Sequence, residues 1–380
     1  MERLIFEEIP AERFPWRMED CNLHSFLTGF SAAVKECRSG KLKGMFERYF
    51  PKKSYLRRML RELVDLCEER KEEVSDEIYQ FYDLVMDYYG ELSDDGYCFL
   101  TFFVNHSDCS RHCEQMDLDS ESQLRLNNAE VMGCKESHFT IHLKCSNLSI
   151  SHGTTGMSLW PAALVLCDFF SKFDIDSFDF AIELGAGTGL CSLVLGKLLQ
   201  SQGSRPKCHS ILLTDCNEEV LDLAKENIQC NNLNDSCKAL LFDWCDSNIL
   251  DLIQRYFEED RNDFIANRHG ESSTDSHKDF ITNSPLIFAS DIIYDTDILH
   301  SLVGQVEIFL NRFPNGRILL SATVRNEQTW ASFMKMLDKF SISFIPLSFP
   351  RYFSEFIDIS NVKMFWISLR SAPEVHLSAS

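Results

Sequence analysis

An apolar run that ends in one acid and three alternating glycines constrains this chain more than anything else in it. The stretch reads Phe180-Ala-Ile-Glu183-Leu-Gly185-Ala186-Gly187-Thr-Gly189-Leu190. A short run rich in branched apolar residues predicts a buried strand. The glycines let the backbone turn tightly and let a ligand approach with no Cβ in its way. Leu190, Leu193, Val194 and Leu198 then recur at helical spacing. Strand, glycine turn and helix together predict a nucleotide-type site at the carboxyl edge of a parallel sheet.

The glycine spacing excludes two familiar cradles. A dinucleotide loop needs G-x-G-x-x-G, and position 190 is Leu; a P-loop needs Lys followed by Ser or Thr, and neither follows here. Three further apolar strands end at the same edge in polar or aromatic residues. Ser210 to Asp215 ends in a carboxylate that can accept from both hydroxyls of a ribose. The alternative is that Asp215 caps the helix read from Glu218 to Cys230, for which Asn217 is the better cap. Ala239 to Trp244 ends in Asp243-Trp244, a carboxylate and a flat ring suited to adenine, with core packing of Trp244 as the alternative. A fourth strand, Pro285 to Tyr294, ends with Asp291 and Tyr294 over the same crevice.

With these residues in view, the chain resembles family 16 of the seven-β-strand methyltransferases, a group of mostly protein-lysine methyltransferases. The family's D-x-x-Y or D-x-x-F motif after the fourth strand is matched by Asp291-Ile292-Ile293-Tyr294, and its Trp ahead of the first strand by Trp160. Phe14-Pro-Trp16, the segment from Ser151 through Trp160 to Ala163, and Thr323-Val-Arg-Asn326 are similar to the branch that methylates a lysine of translation elongation factor 2. Two departures are visible: Ser290 stands where Ala is usual, and Pro161 follows Trp160, which suits a helix that starts there.

The resemblance implies an α/β fold: a seven-stranded, doubly wound, Rossmann-like class I methyltransferase sheet with an N-terminal helical accessory region. It implies S-adenosyl-L-methionine as cofactor, held by Trp160, Gly185, Ala186, Gly187, Asp215, Trp244 and Ser290, with Asp243 and Glu183 added from the strand reading. It also implies a protein substrate. Asp291 is expected to orient the incoming amine and Tyr294 to shape a lysine channel. Glu183 is expected to orient loop backbone groups or cofactor polar atoms.

Composition narrows the partner. A net charge of −21 argues against a nucleic-acid enzyme, which needs clustered Lys and Arg, and suits a lysine-presenting protein. Fifteen cysteines with no repeating spacing, and no readable signal or membrane span, predict a reducing, cytoplasmic setting. A monomer is the default expectation, and no residue pattern carries it. Cys109, His112 and Cys113 lack a second ligand pair at recognised spacing, so no metal is expected.

Along the chain, 1–95 reads as the helical accessory region, with apolar stripes at Tyr55, Leu56, Met59, Leu60, Leu63, Val64 and Cys67, then Ile78, Phe81, Tyr82, Val85 and Tyr89. Residues 96–150 read as two strands and a polar loop at 105–136, residues 151–372 as the catalytic domain with a polar insertion at 257–283, and 373–380 as a tail. Strands at 341–348 and 362–369 are expected to close the sheet as an antiparallel pair. The alternatives are a methyltransferase for a nucleic-acid base or small molecule, disfavoured because prolines are missing from the segment after Asp291, and a non-catalytic cofactor-binding module.

Overall fold

The computed structural model describes residues 23–39, 53–88, 96–107, 136–146, 148–171, 178, 180–201, 208, 210–256, 285–313, 316–348 and 358–369. Phe14-Pro-Trp16, the insertions beyond 107 and beyond 256, the Cys109–Cys113 cluster and the tail lie outside those residues.

Three helices come first: α1 (Leu23–Ser39), α2 (Lys53–Arg70) and α3 (Asp76–Tyr88). Their apolar stripes face one another, with Phe30, Val34, Leu56, Leu60, Leu63, Ile78 and Phe81 buried. Strands β1 (Tyr97–Ser107) and β2 (Glu136–Ser146) then pair antiparallel along their whole length. Cys98 and Cys145 face each other across this ribbon as thiols, 3.8 Å apart and not joined by a disulfide.

The remaining elements alternate. They are α4 (Pro161–Phe170), β3 (Ala181–Leu184), α5 (Leu190–Ser201), β4 (Ile211–Asp215), α6 (Glu218–Cys230), β5 (Cys237–Leu241), β6 (Leu286–Ser290), α7 (Leu299–Arg312), β7 (Arg317–Thr323), α8 (Glu327–Lys339), β8 (Ile342–Pro346) and β9 (Val362–Leu369). The sheet runs β5-β4-β3-β6-β7-β9-β8, parallel except for β9, which is antiparallel to both its neighbours. The expected seven-stranded, doubly wound sheet is therefore present, and its antiparallel end is β8 with β9.

Alternation along each strand divides two cores. Ala181, Leu213, Phe288, Leu319 and Trp366 face α4, α5, α6 and the β1–β2 ribbon. Ile182, Leu212, Ile287, Ile318 and Phe365 face α7, α8 and the helical stretch 249–256. Two asparagines, one on α6 and one at its C-cap, fasten the ribbon: Asn227 and Asn231 each accept from and donate to the backbone of one β2 residue, Lys144 and His142 respectively. Those side chains pair with the outer edge of β2 much as a neighbouring strand would. Asn227 also donates to the carbonyl of Thr188 in the glycine turn, which ties the ribbon to the sheet edge.

The order reverses at β3, whose neighbours are β4 on one side and β6 on the other. A crevice outside the carboxyl ends of the strands belongs at such a reversal.

Candidate active site

A crevice of about 250 Å³ opens at that point, lined by the glycine turn, the ends of β4 and β6, the loop after β5 and the segment 154–160. A water needs only about 15 Å³ of such space, so the crevice is of ligand size. Eight of the nine residues expected at the cofactor line it: Trp160, Gly185, Ala186, Gly187, Asp215, Asp243, Trp244 and Ser290. Asp291 and Tyr294 line it as well.

The floor is backbone. Gly187 has φ +54°, and a Cβ there would meet the carbonyl oxygen of Gly156 at 2.8 Å. Only glycine combines that backbone angle with that approach. Gly156 belongs to a rim that Ser151-His-Gly-Thr154 turns back on itself, with His152 and Gly153 both at positive φ and Ser151 bridged to Thr154. That pair of angles is the tight two-residue hairpin turn. The segment was read only as a motif, yet Thr154, Thr155, Gly156 and Ser158 also line the crevice.

Asp215 ends β4 with its carboxylate at the crevice. Its Oδ2 accepts from the Gly187 N–H at 3.2 Å and its Oδ1 from the Asn217 N–H at 3.1 Å. Burial raises its pKa, and those backbone donors oppose the rise. The helix cap falls to Asn217, whose side chain accepts from Val220 N–H. Strand β5 stops at Leu241, short of the expected end at Trp244, so Asp243 and Trp244 sit on a loop. Gln305 of α7 holds that loop by donating to the carbonyls of Trp244 and Ser247 and accepting from Ile249 N–H. No sequence signal pointed to Gln305, which lies some sixty residues away.

Glu183 is the exception. It is fully buried and lies off the crevice, because its place on β3 turns it under the first turn of α5. Its Oε2 accepts from the Ser192 N–H and hydroxyl, and its Oε1 has no hydrogen-bond partner. Burial lifts its pKa to about 7 against the Ser192 and Cys191 hydrogen bonds. Of the two expected duties, the geometry suits orienting backbone, not touching a ligand.

Asp291 also differs from expectation. Its side chain is only 5% exposed and its φ is +54°. Oδ1 accepts from Thr323 N–H at 2.7 Å and from Arg325, while Oδ2 accepts from Arg325, from the Thr323 hydroxyl and from Ala162 N–H. A carboxylate offers about four lone-pair sites. All are occupied by protein, so no acceptor is left over for an incoming amine. The Ala162 contact explains how Trp160 can stand at the N-cap of α4 with no capping bond of its own. Tyr294 is 56% exposed beside Asp291, and its phenol is held protonated by burial, then by the nearby Cys216 and Asp215.

Residues 142–266 match a family model described as lysine methyltransferase. The resemblance to family 16 holds. The chain is 25% identical over 221 residues to the protein-lysine N-methyltransferase EFM3 of Chaetomium thermophilum, covering 57% of each. It is 26% identical over 209 residues to the human protein-lysine N-methyltransferase EEF2KMT, covering 53% of this chain and 56% of that one. The chain thus spans little more than half the length of the curated relatives it matches. The segment matching the lysine methyltransferase family contains the glycine turn, Asp215 and Trp244; Asp291, Tyr294, Thr323 and Arg325 lie beyond it. Among the described residues no helix is long and apolar enough to cross a membrane, and no group of His, Cys, Asp and Glu could hold a metal.

Proposed function

We propose that the crevice binds S-adenosyl-L-methionine and that the protein methylates a lysine side chain of a protein, translation elongation factor 2 being the substrate we favour. The observation that carries the reading is the crevice at the strand reversal, with a side-chain-free floor at Gly185 and Gly187 and an acceptor carboxylate at Asp215. The residues fit the cofactor. Asp215 would accept from the ribose hydroxyls, Trp244 would cover a face of adenine, and Asp243 and the loop after β5 would receive its amine. Trp160 and Ser290 would border the methyl end.

That cofactor supplies a methyl group on a positively charged sulfur, which an amine takes by in-line displacement. The protein's part is position and dryness. A free lysine has a pKa near ~10.4 and arrives as an ammonium. An apolar, water-poor channel favours its neutral form, so a dedicated base is unnecessary. Tyr294 shapes that channel from its exposed position. Asp291, its carboxylate filled by Arg325, Thr323 and Ala162, sets the amine's place through the structure it ties together and not by a direct hydrogen bond.

Elongation factor 2 is favoured because the EEF2KMT-like relatives and the Gly-Thr-Thr-Gly and Thr-Val-Arg-Asn motifs support it together. The test is incubation of the purified protein with labelled S-adenosylmethionine and purified elongation factor 2. Label on one lysine is the expected result. An unlabelled factor alongside a different labelled protein in an extract would keep the chemistry and replace the substrate.

A further inference from the structure

We propose that Arg325 is a positioning residue for methyl transfer, holding the Trp160 ring against the crevice while its guanidinium is locked on Asp291. The inference rests on reading the crevice as a methyl-transfer site. Arg325 does not line the crevice, but the two residues it grips do. Its Nη1 and Nη2 donate to the two Asp291 oxygens, each at 3.1 Å. Such a two-point pair fixes the plane of the guanidinium as well as its place. The same group lies over the Trp160 ring, 4.7 Å from its centroid. A planar cation over an indole face is attracted by the ring quadrupole.

Trp160 is therefore held at two points. Arg325 takes its face, and the Thr155 carbonyl takes its Nε1–H at 3.0 Å. Each holding group comes from a different part of the fold: Arg325 from the end of β7, Thr155 from the rim. Asp291 adds a third tie by accepting from Ala162 N–H, two residues past Trp160. The three polar residues of the motif Thr323-Val-Arg-Asn326 are thereby accounted for. Thr323 and Arg325 bind Asp291, and Asn326 caps α8 by accepting from Gln328 and Thr329 N–H. A lysine at 325 would keep the charge but could neither bind both oxygens in one plane nor stack flat on the indole.

The test compares the unsubstituted chain with Arg325→Lys and Arg325→Ala, each also carrying Trp160→Phe as a second variant. The fluorescence difference within each pair isolates Trp160, and acrylamide quenching of that component reports how firmly the ring is held. Melting curves accompany each protein. The expected result is a Trp160 component more open to quenching in both Arg325 variants. Methyl transfer to elongation factor 2 should show kcat lowered on the order of 10²-fold, with the Kd for S-adenosylhomocysteine changed far less. Quenching unchanged in both variants overturns the proposal, even if melting temperatures fall, because a merely structural ion pair would lower stability without freeing the ring. Quenching is measured without cofactor, so it decides Arg325 by itself. An unsubstituted chain that does not bind S-adenosylhomocysteine would overturn the cofactor reading instead.

Discussion

Asp215 and Asp291 stand at the ends of β4 and β6, the two strands that flank β3, and both line the same crevice. Their surroundings are opposite. Asp215 lies at the crevice and is met by backbone N–H groups, with no cation paired to it among the described residues. Asp291 is saturated by a guanidinium, a hydroxyl and two backbone N–H groups. One half of the crevice keeps acceptors for a visitor; the other is tied internally. The open half lies inside the segment matched by the lysine methyltransferase family, and the tied half lies outside it.

The sharpest way to break this contrast is at the floor of the open half. Gly187→Val would put side-chain atoms into the Gly156 carbonyl and force a branched residue to φ +54°. We expect S-adenosylhomocysteine affinity to fall by more than about 10²-fold, which is about 2.7 kcal/mol, with about 1–2 kcal/mol of backbone strain seen in the melt. An unchanged calorimetric Kd would mean that the rim and the turn are not in contact.

Exchanging each aspartate for asparagine should give opposite signatures. Asp291→Asn breaks a filled hydrogen-bond network around a buried carboxylate and should cost about 1.5–3 kcal/mol of stability, the Arg325 end being partly screened by solvent. Asp215→Asn should leave the melt nearly in place and weaken cofactor binding by about 1.5–3 kcal/mol, the worth of hydrogen bonds to a charged acceptor. Acid should imitate the second change. Burial raises the Asp215 pKa, so affinity should be lost on acidification at a pH above the ordinary aspartate value of 3.8. If both substitutions move stability and affinity alike, the two halves are not distinct.

Glu183, on the strand between them, is a third case: an acid off the crevice, with no cation paired to it among the described residues. Its pKa is raised from an ordinary 4.5 to about 7. The folded state therefore holds a proton that the unfolded state releases, so this contribution is full below about pH 4.5 and is lost as pH rises toward 7. Glu183→Gln keeps an acceptor for Ser192 and removes the buried charge. It should gain about 2–3 kcal/mol relative to the parent above pH 7 and little at pH 4. Parallel denaturant titrations at the two pH values read that difference directly; equal shifts at both would place the proton elsewhere.

These three acids show how far the sequence could be read. Strands β3 and β4 were legible as short apolar runs closed by the glycine turn and by Asp215, and the Pro161 start of α4 followed from its missing N–H; β6 stops at Ser290, short of the expected Tyr294. What each acid does was not legible, because its partners are distant in the chain. Asp291 meets Thr323 and Arg325 more than thirty residues on, and Ala162 more than a hundred back. Glu183 could have been suspected from alternation alone. It faces opposite to Ile182 and Leu184, on the side where α5 packs.

The smallest effect is expected at Tyr294, the one expected site residue whose ring stands well out into solvent, at 56% exposure. Its protonated phenol is no base, so Tyr294→Phe should leave kcat nearly unchanged. Tyr294→Ala removes the ring that would line the approach of a lysine side chain, and should raise the KM for the protein substrate severalfold, within about 1 kcal/mol. Cofactor affinity and melting temperature should stay in place, since the ring supports neither core. A loss of kcat in the phenylalanine variant would assign the hydroxyl a part in the reaction. It would then be Tyr294, and not the filled carboxylate three residues before it, that touches the amine.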